Sequence, residues 1–179
     1  MKLFPCTLTR RQAIAGIGAV LVCTVFAKRA SAQQVATPEK RSTKIDIEHS
    51  TSLHQEIELK ATTQRVFEIL LDAKQFAVVT GMTADIDPKV GGAFKTFGGL
   101  IEGRNVEIVP GQRIVQAWRE ASWEPGFYSL VHFELKSAGT ATILVLDHSG
   151  FHEGDFVHLD PGWHERYWEP LKKYLASQG

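Results

Sequence analysis

Cysteine is scarce in this 179-residue chain, and acid is missing from its start. The two cysteines are Cys6 and Cys23, and the first acidic residue is Glu39. From residue 24 onward there is therefore no disulfide, no thiol nucleophile and no cysteine metal ligand. There is also no Gly-x-Ser-x-Gly elbow and no glycine-rich phosphate loop closed by lysine, which removes the commonest signatures of serine hydrolases and nucleotide enzymes. No apolar run is long enough to span a bilayer. The longest, Ala13 to Ala27, has about 15 residues, and at ~1.5 Å per residue its helix falls short of a ~30 Å hydrocarbon core.

What is there at the start fits an export signal. Lys2, Arg10 and Arg11 give a positive beginning, the apolar run follows, and Ala30-Ser31-Ala32 supplies the small residues of a cleavage site before Gln33. Thr9-Arg10-Arg11 resembles the twin-arginine pattern, with Ala13 where a bulkier residue is common. The Gly- and Ala-rich run and Lys28-Arg29 near the cleavage site favour that route over general secretion. A lipid anchor at Cys23 is excluded, because Val22 precedes it where a small residue is needed. The expectation is a signal peptide over 1–32 and an exported product, periplasmic or extracellular, with no stable membrane span after cleavage.

Removing 1–32 leaves 147 residues with 15 basic and 20 acidic side chains, a net charge of −5. Such a domain lacks the basic footprint that nucleic acid requires. Residues 33–51 are polar and aperiodic, the pattern of a tether, and 52–179 is the length of one domain with a real core.

Leu53, Ile57, Leu59 and Ala61 alternate with charged residues as in a strand. Thr62-Thr63 opens a helix carrying Val66, Phe67, Leu70 and Leu71, and a second short helix through Phe76 to Val79 ends at Gly81. Strand-like segments follow, with turns at Pro110-Gly111 and Ser137-Ala138-Gly139. The unbroken run Ile143 to Leu146 implies cover on both faces. Pro161 is the expected start of a last helix whose stripe is Trp163, Tyr167, Leu171, Tyr174 and Leu175. The fold class is α+β: a curved antiparallel sheet wrapped around a long C-terminal helix, with two short helices after the first strand. Volume left between sheet and helix would be a cavity.

That order, with Ala61 to Leu70, Val90-Gly91-Gly92-Ala93-Phe94, Val106 to Pro110, Trp118, Leu146 to Phe151 and Gly162-Trp163, resembles the helix-grip (SRPBCC, START-like) superfamily of lipid-transfer domains, pollen allergens and polyketide cyclases. Within it, the chain is most similar to the bacterial family related to the activator of the heat-shock-protein-90 ATPase. The resemblance implies a ligand cavity. It also shows one departure: Val78-Val79-Thr80 stands where that family commonly has a tryptophan.

The cavity candidates are Glu102, Arg104, Trp118, Trp123, Phe133, Trp163 and Tyr167. An acid, a guanidinium and indole edges could orient a polar headgroup while apolar walls hold the rest; a surface ion pair with core tryptophans is the competing explanation. His148, His152 and His158 with Glu153 and Asp155 bring metal-capable groups together, but Gly150 and Gly154 make their segment a loop, so no metal site and no cofactor is expected. His132 alternates onto the outer face with Glu134. The sequence favours binding of a small lipophilic molecule over catalysis. The alternatives are a cyclase- or hydrolase-type enzyme using Glu102, His132 or His148 as acid or base with Arg104 at an oxyanion, and a protein-interaction or folding-helper role.

Overall fold

The structure is a computed structural model that describes residue 47 and residues 49–178. The signal sequence read at 1–32 and most of the tether read at 33–51 lie outside the described residues. Strand β1 (Ser52–Leu59) leads into α1 (Thr63–Leu71) and α2 (Ala73–Thr80). Then come β2 (Asp85–Ile86), β3 (Ala93–Thr96), a 3-10 turn (Phe97–Gly99), β4 (Ile101–Val109), β5 (Arg113–Glu120), β6 (Ser129–Ala138) and β7 (Ala141–Ser149). The C-terminal helix comprises α3 (Phe156–Trp163), a π-helical turn (His164–Trp168) and α4 (Glu169–Ala176).

Local chemistry sets the boundaries. The Thr62 hydroxyl accepts from the Arg65 N–H at 3.3 Å and caps α1. Asp72 ends α1 and caps α2, its carboxylate accepting from the Gln75 N–H at 2.8 Å. Gly81, at φ 70°, closes α2 in the left-handed conformation. The turn between β6 and β7 is tighter than the sequence implied: Ala138 pairs with Ala141, leaving Gly139 and Thr140 as its two residues.

All seven strands form one antiparallel sheet in the order β1-β7-β6-β5-β4-β3-β2. β7 lies between β1 and β6, and Leu144, Val145 and Leu146 are buried there on alternating faces, as a covered central strand requires. Phe94 lies against Gly103, where an added Cβ would fall 2.6 Å from its ring and 2.0 Å from the Ala117 carbonyl oxygen. The inner faces of β4 to β7 and the helices close over Ile114, Trp118, Val131, Phe133, Leu144 and Leu146.

The last helix begins at Phe156, earlier than the expected Pro161, which lies inside it. Its stripe also gains Trp168, fully buried. The physical reason is the π turn, in which the Glu169 N–H reaches back to the His164 carbonyl. That i→i+5 geometry aligns Trp163 and Trp168, whose rings stack at 5.7 Å and 17°. The Trp168 indole N–H is bound at 2.6 Å by Gln55 Oε1 of β1, and Gln55 Nε2 donates to the Asp160 carbonyl at 2.9 Å.

Candidate functional site

Among the described residues, two spaces between sheet and helix differ greatly in size. The inner one, among Phe76, Phe94, Thr96, Gln116, Phe133 and Tyr167, measures about 10 Å³, about enough for one water. Aromatic rings fill this middle. Phe76, Phe97 and Tyr167 meet edge to face at 4.9–5.8 Å. Trp163 contacts Trp118, Phe133, Tyr167 and Trp168 at 4.3–5.9 Å. The open volume is displaced to one end, as a cleft of about 530 Å³ between the β4–β5 end of the sheet and the first half of the C-terminal helix.

The walls of the cleft are Phe97, Ile101, Trp118, Leu159, Trp163 and Tyr167. Leu100 and Val157 stand exposed at its mouth. Charge is also at the mouth: Glu165 and Arg166 are exposed, and Glu120 faces His158 Nε2 at 3.1 Å.

Of the sequence candidates, Trp118, Trp163 and Tyr167 line this cleft. Trp123 packs behind it, edge to face with Trp118 at 5.5 Å, and Phe133 lines the small inner space. Glu102 and Arg104 do share a face, but alternation along β4 puts it opposite the inward Ile101 and Gly103. They therefore belong to the convex side rather than the cavity. There Glu102 pairs with Arg119 at 2.5 Å and Lys95 at 3.7 Å, and Arg104 donates to the Gly91 carbonyl at 3.1 Å. Arg119 is buried beneath the segment after β5, bonded also to the Trp123 carbonyl and lying over the Tyr128 ring at 5.9 Å. Phe133 and His132 alternate, so His132 sits on the convex face with Glu134.

His148 is fully buried at the base of the aromatic cluster. Trp163 Nε1–H, which can only donate, gives its proton to Nδ1 at 3.2 Å. The Ser129 hydroxyl donates to the Trp118 carbonyl at 2.9 Å, so it accepts from Nε2–H of His148 at 2.7 Å. Every proton in that chain is placed, and the imidazole is neutral. Burial pushes its pKa down to about 3. Serine and histidine at bonding distance would suggest a nucleophile and base, but this pair is sealed from solvent and no acid orients the ring. It is structural.

Among the described residues no group of three or more His, Cys, Asp or Glu side chains is placed to hold a metal. His152 stacks on Phe127 at 3.9 Å and sits 3.2 Å from Glu124. No helix of the described residues is long and apolar enough to cross a membrane. The cleft residues that sequence reasoning missed include Phe97, Leu100 and Ile101 around the start of β4, Glu120 at the end of β5, Val157, His158 and Leu159 in the unexpected early part of α3, and Glu165 and Arg166 in the π turn. The apolar Phe156-Val157 pair just after the Gly154 turn was the one available signal.

Comparison with known proteins follows the same lines. Residues 60–176 match the family model described as activator of Hsp90 ATPase homolog 1-like protein. The chain is 24% identical over 138 residues to an activator of 90 kDa heat shock protein ATPase homolog of Dictyostelium discoideum, covering 76% of this chain and 34% of that protein. It is 25% identical over 126 residues to homolog 2 of Mus musculus, covering 70% and 38%. The chain thus spans about a third of the length of the curated relatives it matches. A crystal structure of an HSP90 activator from Plasmodium falciparum superposes with a TM-score of 0.67 at 26% identity, covering 71% of this chain and 97% of that one. CalU16 from Micromonospora echinospora shares the fold, with a TM-score of 0.60 at 20% identity over 71% and 77% of the two chains.

Proposed function

Because the chain belongs to the family of activator of Hsp90 ATPase homolog 1-like proteins, we propose that it is an exported member that holds a small apolar or amphipathic molecule in the cleft beside its C-terminal helix. The observation that carries this reading is the cleft itself: about 530 Å³, walled by aromatic and aliphatic side chains, with charge confined to its mouth. Burial of apolar ligand surface there at ~25 cal/mol per Å² supplies the driving force. Binding is favoured over catalysis because the acid–base candidates are elsewhere: Glu102 and His132 on the convex face, His148 sealed and neutral. The export signal read in the first 32 residues supports a place outside the cytoplasm. There, a chain resembling ATPase activators would meet no cytosolic ATPase.

Native mass spectrometry on protein purified from the envelope of the producing cell, repeated after solvent extraction, tests the reading. A stoichiometric extra mass lost on extraction is the expected result, with the mature chain beginning at Gln33. A protein without bound mass, or a chain retained unprocessed in the cytoplasm, would count against it. Glu102→Gln should leave ligand occupancy unchanged, since the carboxylate lies on the other face of the sheet.

A further inference from the structure

Where the cleft meets the small inner space, the protein leaves polar atoms unsatisfied. Trp118 Nε1 and Thr96 Oγ1 are both buried without a hydrogen-bond partner. Both side chains lie close enough to the Tyr167 hydroxyl to influence its ionisation, yet neither atom reaches full hydrogen-bonding geometry with any partner in the protein. Trp118 is a cleft residue, Thr96 belongs to the small inner space, and Tyr167 lines both. Buried polar atoms left unbonded cost on the order of 1–3 kcal/mol each, so two of them beside one tyrosine hydroxyl in an aromatic wall call for a partner.

We propose that this point reads a single oxygen on an otherwise apolar, ring-bearing, uncharged ligand: the Tyr167 hydroxyl donates to a carbonyl or ether oxygen, and Trp118 Nε1 is the positioning group behind it. The proposal rests on the cleft being a binding site and adds the class of molecule it selects. An indole N–H only donates, so Trp118 Nε1 cannot take up the tyrosine proton, and a ligand oxygen placed at this point can accept from both groups. Burial holds the phenol protonated, far above the ordinary tyrosine range, which keeps it a donor at neutral pH. The carboxylates of the cleft do not compete for that proton at its inner end. Glu120 is engaged by His158 and by the Ser122 hydroxyl at 3.3 Å, and Glu165 is exposed. A ring fits because four of the walls are the rings of Phe97, Trp118, Trp163 and Tyr167.

Fluorene and 9-fluorenone test this, since they share one planar tricycle and differ by a methylene against a carbonyl. Equilibrium dialysis of each against the purified protein should show the ketone held about 3- to 10-fold more tightly, the worth of one net hydrogen bond. Hydration opposes that result, because a site that is merely greasy prefers the hydrocarbon. Tyr167→Phe, which keeps the ring, should bring the ratio to about one, and Trp118→Phe should narrow it. Near-UV circular dichroism checks that each variant keeps its packed aromatic cluster. Equal affinities in the wild type, or a preference that survives Tyr167→Phe, would overturn the oxygen readout while leaving the cleft a binding site. If neither compound binds, the binding reading fails, and this inference with it.

Discussion

At the scale of single residues, the most informative group is one that does no chemistry. His148 sits under Trp118, Phe151 and Trp163, with ring centroids 4.9–5.7 Å away, and each of its nitrogens has one assigned role. Protonating Nδ1 would destroy the bond from Trp163 and bury an unpaired charge. The folded-state pKa, about 3, lies below the ~6.5 of a solvated imidazole. The unfolded chain therefore takes up this proton first as pH falls. The stability that His148 contributes is complete above about pH 6.5 and is lost progressively toward pH 3, at about 1.4 kcal/mol per unit. Urea unfolding at pH 7, 6, 5 and 4 should show that slope. His148→Gln should show a shallower one, by about one proton, from a lower stability at pH 7. Parallel slopes in the two proteins would mean that the imidazole is not the group held neutral.

At the scale of elements, the π turn decides which side chains reach the cleft. It lets Trp163, Tyr167 and Trp168 all face the sheet, where an unbroken α-helix would turn one of them away. A π turn is one residue more than an α turn needs, so removing a residue from it should cost little. Deletion of exposed Glu165 is expected to leave a regular helix, with Trp163 and Trp168 now i and i+4 and the rest of the stripe in register. Its thermal midpoint should stay within about 5 °C of the parent. Deletion of exposed Lys172, inside the regular α4, should rotate buried Leu175 out of the core and lower the midpoint well beyond that. Equal losses would show that the π turn is not an inserted residue. The turn also explains what the sequence could and could not disclose. Period-two strands, the threonine cap of α1 and Gly81 were legible, because each is a local rule. Trp168 was not, because a 3.6-residue period places it off the stripe. The start at Phe156 was hidden by Pro161, which usually marks a first turn. On β4 the alternation was read correctly, but choosing the face of Glu102 and Arg104 requires knowing where the helix lies.

For the whole molecule, the question is how a helix-grip frame keeps an opening at all. Its centre is closed to about 10 Å³ by rings, and the second half of the helix is held in the core by Trp168, Leu171 and Leu175, all buried. The first half stands off the sheet's β4–β5 end, and the cleft is the gap between them. Filling that gap should stabilise the native state alone, because the unfolded chain offers no such wall. Linkage then sets the size of the effect: about 2.7 kcal/mol at a ligand concentration of 100 times Kd. For a domain of this length that corresponds to a rise of roughly 5–11 °C in thermal midpoint. 9-Fluorenone at saturating concentration should produce it in the wild type, with a smaller rise in Tyr167→Phe at the same concentration, as weaker binding requires. Differential scanning calorimetry over a ligand series checks both the size and its logarithmic growth with concentration. A midpoint that stays flat while dialysis shows binding would place the ligand on a surface that the unfolded chain also offers, outside the cleft.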